Sequence, residues 1–240
     1  MMENDRIKEL NSQCRGKSAD EIVALALREF NGKIALASSL GAEDQALTHM
    51  VVSTDPSVRV FTLDTGRMFP ESYDLLDRTN RHYGISIEVF FPDKERVEEM
   101  VKERGINLFY ESVENRKLCC GIRKVEPLGR AFAGMDAWIC GLRREQSVTR
   151  FAIEPVEWDE GNNLVKVNPL ADWNEKQLWD YIKSNNIPYH ALHDRGFPSI
   201  GCQPCTRAVR PGEDIRAGRW WWEEPEKKEC GLHNRPGNTT

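Results

Sequence analysis

Hydrophobic positions along the chain alternate between two periodicities. Short apolar runs at residues 33–37 and 58–63 indicate buried strands, and stretches of helical period follow them, as at residues 70–83. Residues 116–135 also have a helical pattern. Near the start, Ser18 and Glu21 have the spacing of a capping box before an apolar helix face. Strands alternating with helices predict right-handed βαβ units, and therefore an α/β fold with a mostly parallel sheet and helices on both faces.

The character of the chain changes after residue 150. Strand-like runs at residues 153–158 and 164–167 and a helical stretch at 175–185 precede a segment without regular period, rich in Gly, Pro, Arg, Cys and Trp. A length of 240 residues suits one sizeable core. We therefore predict an α/β domain over residues 1–189, including N-terminal helices, and a loop-rich functional segment over residues 190–240 that belongs to the same domain.

Charge and composition narrow the classes of partner. A net charge of −5 disfavours a broad nucleic-acid surface, and the apolar runs are too short for a membrane span. The polar N-terminus carries no apolar signal segment, which predicts a cytoplasmic protein. A cluster of arginines near the C-terminus favours a small anionic ligand; its members are Arg207, Arg210, Arg216 and Arg219.

Four of the cysteines fall into two pairs. The chain has seven, and without a secretion signal metal ligation or thiol chemistry is a better interpretation than a disulfide framework. The tandem pair Cys119–Cys120 and the CxxC pair Cys202–Cys205 together supply four thiolates, enough for an iron–sulfur cluster or a structural zinc. The spacing does not choose between them. Taken singly, a CxxC pair also suits a redox dithiol, and a tandem pair also suits two buried small residues.

Two polar loops follow neighbouring strands. The first is Ser38-Ser-Leu-Gly-Ala-Glu-Asp44 and the second is Leu63-Asp-Thr-Gly-Arg67. A glycine between hydroxyl residues at a helix N-terminus suits an anion, and ligands of open sheets lie beyond the carboxyl ends of strands. Both loops are therefore predicted to line one crevice, although each also suits an ordinary turn. The predicted substrate ligands are Ser38, Ser39, Gly41, Asp44, Leu63, Asp64, Thr65, Gly66 and Arg67.

A lone cysteine near the end of the chain has a reactive setting. Cys230 lies in the polar string Glu229-Cys-Gly-Leu-His233, and Lys227, Lys228 and His233 lie close enough in sequence to stabilise a thiolate. We predict a nucleophile on a mobile tail, the alternative being an incidental surface thiol. Cys14 and Cys140 have no partner pattern, and the triple tryptophan at residues 220–222 is interpreted as a packing anchor.

Together these strings resemble the adenine-nucleotide alpha-hydrolase-like family, and specifically its sulfonucleotide reductase branch. The Cys119-Cys-Gly-Ile-Arg-Lys and Gly201-Cys-Gln-Pro-Cys segments are similar to the cluster-binding segments of adenylyl-sulfate reductases, and ECGLH is similar to the catalytic string. ATP-cleaving relatives carry an SGGxDS loop, whereas here Leu40 replaces the first glycine and the final serine is missing. That departure fits a loop for a monophosphate-type anion. Phe69 stands where the branch carries a histidine, so no role is assigned to that side chain.

The resemblance implies one [4Fe–4S] cluster on Cys119, Cys120, Cys202 and Cys205. It also implies that Cys230 attacks adenylyl sulfate and that thioredoxin or a glutaredoxin-like dithiol releases sulfite, in sulfate assimilation and cysteine biosynthesis. No second cysteine lies near Cys230, so the reductant must be external. The implied electrostatic ligands of the substrate are Lys124, Arg150, Arg216, Arg219 and His233.

Three alternatives stay open at this stage. The first is that the substrate is 3′-phosphoadenylyl sulfate, as in a related class of reductases that generally lacks the four cysteines. An enzyme that uses both nucleotides is a further option. A tRNA-thiolating enzyme with a PP-loop and a cluster predicts the SGGxDS loop and a basic surface, and the sequence has neither. A catalytically silent zinc protein that binds nucleotide is the third. The oligomeric state is open, with a homo-oligomer as one option.

Overall fold

A computed structural model describes residues 2–146, 150 and 152–224. The helices are α1 (Met2–Cys14), α2 (Ala19–Glu29), α3 (Ala42–Thr54), α4 (Pro70–Tyr83), α5 (Lys94–Arg104), α6 (Val113–Cys120), α7 (Glu126–Ala131) and α8 (Glu175–Ser184). The strands are β1 (Ile34–Ala37), β2 (Arg59–Leu63), β3 (Glu88–Phe90), β4 (Ala137–Ile139), β5 (Val156–Asp159) and β6 (Leu164–Val167). A π-helical turn spans Gly121–Val125, and short 3-10 turns span Leu108–Tyr110, Arg144–Gln146, His193–Arg195 and Gln203–Cys205.

The six strands form one sheet in the order β3-β2-β1-β4-β6-β5. β1 is parallel to β2 and β4, and β4 is parallel to β6, whereas β5 pairs antiparallel with β6 at the edge. Strands β2 and β3 lie on one side of β1, and β4, β6 and β5 lie on the other, so the strand order changes direction at β1. Open parallel sheets bind ligands at such a position. The predicted α/β fold with a mostly parallel sheet is confirmed.

Several helices begin where their sequence signals place them. The Ser18 side chain accepts from the Glu21 N–H while Glu21 reaches back to the Ser18 N–H, which completes the predicted capping box of α2. Asn174 and Gln177 form the same arrangement at α8. These caps satisfy backbone donors that a helix start otherwise leaves unpaired.

Two predicted elements differ in detail. The helical pattern at residues 116–135 is interrupted by the π-helical turn Gly121–Val125, directly after the tandem cysteines. The strand predicted from residue 153 begins only at Val156. Pro155 lies within the predicted strand and has no N–H to donate to a ladder, so regular pairing starts after it.

The described residues form two compact units. The sheet unit contains the described parts of Met1–Thr62, Glu71–Glu88 and Gly134–His190. The cysteine unit contains Leu63–Pro70, Val89–Ala133 and the described part of Ala191–Thr240. The domain limits predicted from the sequence stay a prediction.

Each unit has its own apolar core. In the sheet unit the β1, β4 and β6 side chains pack with α2 and α3 around Leu36, Leu47 and Ile139, which are fully buried. In the cysteine unit Leu108, Phe109, Ile122 and Trp220 pack around Cys205. Among the described residues, none of the helices combines the length and the apolar character that crossing a membrane requires.

Candidate active site

Internal hydrogen bonds stabilise the conformation of the loop between β1 and α3. The N–H and the hydroxyl of Ser39 both donate to Oδ2 of Asp44, at 2.7 and 2.6 Å, and the N–H of Leu40 donates to Oγ of Ser38 at 3.2 Å. Leu40 is buried and has a φ of 62°, a conformation that costs free energy for a branched side chain. Gly41 precedes α3 without a side-chain cap, so the backbone donors of the first turn have no capping side chain.

The Asp44 carboxyl connects this loop to the end of β4. Its burial raises its pKa to about 6, against the hydrogen bonds from Ser39 and from the Gly141 backbone. A Cβ at Gly141 would lie 2.6 Å from Cβ of Glu43 and 2.7 Å from Oδ1 of Asp44, so only glycine allows this approach. Asp44 therefore acts inside the loop, and its predicted contact with substrate stays a prediction.

A buried arginine that the sequence did not single out supports the same loop. Arg143 donates from Nε to Oε1 of Glu43 at 2.9 Å and from Nη1 to the Trp173 carbonyl at 3.3 Å. Gln146 also donates to Glu43, at 2.9 Å, and accepts from the guanidinium of Arg150. Arg143 and Glu43 are 100 residues apart in the chain, and nothing local signals their pairing. Arg150, a predicted substrate ligand, is thus placed in this network.

In the cysteine unit, four cysteines line one pocket. They are Cys119, Cys120, Cys202 and Cys205, and the other lining residues are Thr65, Arg67, Phe109, Arg116, Arg123, Lys124 and Pro204. All four are free thiols. Oγ1 of Thr65 lies at a hydrogen-bonding distance of 3.2 Å from Sγ of Cys202. The two cysteine pairs that the sequence identified are thus brought together.

The ionisation of these thiols reflects their closeness. Burial is the main cause that raises the pKa of Cys205 to about 12, and the negative charges of the neighbouring Cys202 and Cys120 raise it further. Burial also raises the pKa of Cys119, although the charge of Arg123 acts in the opposite direction. Four thiolates in one buried pocket repel one another, so a cationic centre is what would stabilise them together.

Two basic side chains follow the tandem cysteines into the pocket. Arg123 is buried and donates from Nη1 to the Thr65 carbonyl at 2.6 Å, and Lys124 lines the pocket as well. In an α-helix, Arg123 and Lys124 would both lie about one turn beyond Cys120 and on its face. The π-helical turn changes that spacing, and both residues line the pocket.

The second predicted loop also lies in the cysteine unit. Oδ1 of Asp64 accepts from the Gly66 N–H at 2.7 Å, and Gly66 has a φ of 69°, which favours glycine. The Arg67 guanidinium donates to the Ile106 carbonyl at 2.9 Å and lies 5.3 Å from the ring of Phe109. Asp64 and Arg67 are therefore engaged within the unit, and the nucleotide contacts predicted for residues 63–67 stay predictions.

The arginine and tryptophan stretch packs beside the CxxC segment. The buried Arg219 lies over the ring of Trp220 at 4.7 Å, and a Cβ at Gly201 would lie 2.3 Å from its Nη2. Trp220 and Trp222 belong to the core of the cysteine unit, as expected of packing anchors, whereas Trp221 is exposed. The Arg216 N–H donates to Asp214 at 2.8 Å, and a substrate contact of Arg216 or Arg219 stays a prediction.

Other predicted positions are placed as follows. Cys230 and His233 lie outside the described residues. Cys14 and Cys140 are buried, the latter with its thiol 3.1 Å from Oδ1 of Asn168. Phe69 is buried against the ring of Phe197. Within the described ranges, no three His, Cys, Asp or Glu side chains are arranged around one point as a single metal ion requires.

Comparison with known proteins gives the family. Residues 33–208 match the phosphoadenosine phosphosulfate reductase domain. The chain is 54% identical to adenosine 5′-phosphosulfate reductase of Burkholderia cepacia, over 85% of this chain and 82% of that protein. It is 50% identical to the protein of the same name from Allochromatium vinosum, over 92% of this chain and 86% of that protein.

Solved structures agree with that assignment. The crystal structure of phosphoadenylyl-sulfate (PAPS) reductase from Candida auris, in a phosphate complex, matches with a TM-score of 0.74 and 29% identity, over 85% of this chain and 97% of that chain. FMN adenylyltransferase of Candida glabrata shares the fold alone, at a TM-score of 0.56 and 16% identity over 93% of this chain and 84% of that chain. The chain belongs to the phosphoadenosine phosphosulfate reductase domain family, and is an oxidoreductase of that family.

Proposed function

We propose that this protein reduces adenylyl sulfate to sulfite and AMP, with Cys230 as nucleophile and an external dithiol as electron donor. The observation that carries the proposal is the pocket formed by Cys119, Cys120, Cys202 and Cys205. Reductases for the 3′-phosphorylated nucleotide generally lack these four cysteines, and the relatives at about 50% identity are named for the unphosphorylated one. The proposed location is the cytoplasm, where thiols are kept reduced.

The proposed chemistry has two stages. The Cys230 thiolate attacks the sulfur of adenylyl sulfate; an S–S bond forms, the bond from sulfur to the phosphate oxygen breaks, and AMP leaves with that electron pair. A thiolate of the dithiol, as in thioredoxin or a glutaredoxin-like protein, then attacks Sγ of Cys230 and sulfite leaves with the electron pair of the S–S bond. The second thiol of the partner resolves the mixed disulfide, which restores Cys230 and oxidises the dithiol by two electrons.

The four cysteines fit a [4Fe–4S] cluster. Cys119, Cys120, Cys202 and Cys205 would hold the cluster as its four thiolate ligands, which is the ligand set that such clusters use. When bound, the cluster would supply positive charge that balances the four thiolates.

The protein's own charges are proposed to hold the substrate. Lys124 lines the cysteine pocket, and its ammonium group suits a sulfonyl oxygen. In the sheet unit, Ser38 and Gly41 are proposed to bind the nucleotide phosphate with hydroxyl and backbone donors at the start of α3. Arg150, Arg216, Arg219 and His233 are proposed to stabilise charge on the departing phosphate and the sulfonate.

Mass spectrometry after mixing with adenylyl sulfate, without reductant, tests the proposal. A sulfonate adduct is expected on Cys230 alone, absent in Cys230→Ser and retained in Cys14→Ser. An adduct at another residue, or active protein with none, contradicts the mechanism.

A second candidate substrate is 3′-phosphoadenylyl sulfate. It is favoured by the structural match with the Candida auris enzyme that is named for it. Steady-state rates with both nucleotides decide between them, and a higher kcat/KM for the 3′-phosphorylated compound would reverse our assignment.

A further inference from the structure

A buried ion pair connects two segments of the cysteine unit. Arg116 donates from Nε to Oε1 of Glu223 at 2.9 Å and from Nη2 to Oε2 at 2.8 Å. The side chains are only 1% and 4% exposed, and the guanidinium lies over the ring of Trp220 at 4.8 Å. Two parallel bonds and a stacked ring fix both the distance and the orientation of Glu223.

The partners lie next to the two cysteine pairs. Arg116 is on α6, one helical turn before Cys119 and Cys120. On the other side, the N–H of Trp220 donates to the Cys205 carbonyl at 3.1 Å, and the Glu223 N–H donates to the Trp220 carbonyl at 2.8 Å. The pair therefore joins the helix of the tandem cysteines to the chain that leaves the CxxC segment.

Stability alone is a weak reason for such a pair. A buried ion pair is often no more stabilising than apolar residues of the same volume, because both charges lose their hydration. Loss of one partner leaves a buried charge without its counter-charge, which destabilises the folded state. The two parallel bonds also fix the position of the Glu223 side chain, and with it that of the backbone at residue 223.

That position matters because the proposed nucleophile lies a short distance further along the chain. Cys230 is seven residues after Glu223, and an extended chain spans roughly 3.5 Å per residue. Because the chain is continuous, the position of Glu223 determines where the segment that carries Cys230 begins. A fixed origin for that segment raises the effective concentration of its nucleophile at the substrate.

We infer that Arg116 and Glu223 are positioning residues, which fix the origin of the Cys230 segment beside the four cysteines and thereby set the rate of nucleophilic attack. The inference rests on the proposed function, in which Cys230 displaces AMP from adenylyl sulfate. Neither residue needs to contact the nucleotide. Loss of the pair is therefore expected to lower the rate of attack without weakening nucleotide binding.

Single-turnover kinetics on the full, cluster-loaded chain test this. The rate of sulfonate formation on Cys230 is measured by quenching and mass spectrometry at saturating adenylyl sulfate without reductant, and the Kd of AMP is measured separately. Glu223→Gln is expected to slow sulfonation at least tenfold and to leave the Kd within twofold. Arg116→Lys, which keeps the charge but loses the bidentate geometry, is expected to slow it severalfold.

A matched control is available in the sheet unit. Arg59 and Glu88 form a bidentate pair of similar geometry, at 2.7 and 2.8 Å, with Glu88 47% exposed. Glu88→Gln is expected to sulfonate at the wild-type rate.

The outcomes separate this inference from the function on which it rests. If the wild-type chain forms the sulfonate and folded Glu223→Gln forms it at the same rate, the positioning role is overturned and the proposed function is not. A fall in rate and affinity by the same factor also overturns it, because that is general structural damage. If Glu223→Gln does not fold, Arg116→Lys decides by the same criteria. A wild-type chain that forms no sulfonate overturns the proposed function itself.

Discussion

Oγ1 of Thr65 lies 3.2 Å from Sγ of Cys202. Thr65 belongs to the loop predicted to bind nucleotide, and Cys202 belongs to the pair predicted to bind a cluster. Arg123, which follows the tandem cysteines, donates to the carbonyl of the same Thr65. One residue of the Asp64–Arg67 loop thus contacts both cysteine-bearing segments.

We expect Thr65→Val to weaken this arrangement without changing its shape. The substitution removes the hydroxyl that lies beside the Cys202 sulfur and accepts from the Arg67 N–H, and each lost hydrogen bond costs about 1 kcal/mol. The measurements are the free energy of unfolding and the rate at which a chelator removes iron, and both should reveal a weaker variant.

Thr54→Val is the matched control, because the Thr54 hydroxyl donates only to a carbonyl of its own helix, that of Met50. It should differ from wild type by less than about 0.5 kcal/mol. Equal effects of the two substitutions would contradict a specific role for Thr65.

Cysteine replacement tests the cluster. Each serine substitution at Cys119, Cys120, Cys202 or Cys205 removes one of four ligands, so anaerobically purified protein should lose its iron and its visible absorption. Cys14→Ala and Cys140→Ala remove thiols that are buried outside the pocket, and they should keep both. A colourless wild-type protein that contains zinc would reject the iron assignment.

Asp44 predicts an unusual dependence of stability on pH. Its pKa is raised from 3.8 to about 6, chiefly by burial, so the folded protein holds a proton there that the unfolded chain has released. Its contribution to stability is therefore complete below about pH 4 and is lost as the pH rises through 6. The loss is on the order of 3 kcal/mol.

The comparison of wild type with Asp44→Asn isolates this effect, since both chains share all other titrating groups. The difference in unfolding free energy, wild type minus variant, should fall between pH 4 and 7. Asp55→Asn provides the opposite case, because hydrogen bonds from Ser57 lower the pKa of the exposed Asp55. That difference should rise with pH, and a rise for Asp44 as well would refute the role of burial.

Gly141→Ala should disturb the loop before α3. The added methyl would overlap Cβ of Glu43 and Oδ1 of Asp44, so the start of the helix must move. A loss of about 1–3 kcal/mol is expected, together with weaker binding of AMP by calorimetry.

Gly129→Ala is the opposite control for this change. Gly129 lies within α7, where an added methyl would contact nothing, so alanine should stabilise the protein by about 0.5–1 kcal/mol. AMP binding should be unaffected by it, and an unchanged affinity in Gly141→Ala would show that the loop does not require this close approach.

The sequence anticipated the features that depend on local pattern. The alternation of strands and helices predicted the sheet, Ser18 and Glu21 predicted the start of α2, and the cysteine pairs were identified by spacing. Pairings between distant segments had no local signal. Arg143 with Glu43 and Arg116 with Glu223 are set by tertiary packing, so single positions in the sequence do not reveal them.

The π-helical turn also could not be predicted from the local sequence pattern. The pattern at residues 116–135 fits a continuous helix, and the wider turn at Gly121–Val125 adds one residue to the spacing between the tandem cysteines and the start of α7. Such turns recur at functional sites, where packing around a site outweighs the regular helical bond. Arg123 and Lys124 lie within this turn, and both line the pocket.

The two cysteine pairs are separated in the chain by α7, β4, β5, β6 and α8. During synthesis, Cys119 and Cys120 therefore emerge well before their partners, and a group that needs all four sulfurs can be inserted only late. Once inserted, it would act as a covalent staple across a long loop and restrict the unfolded chain, as a disulfide does. The iron supply of the cell would then govern how much newly made protein survives proteolysis, as well as how much of it is active.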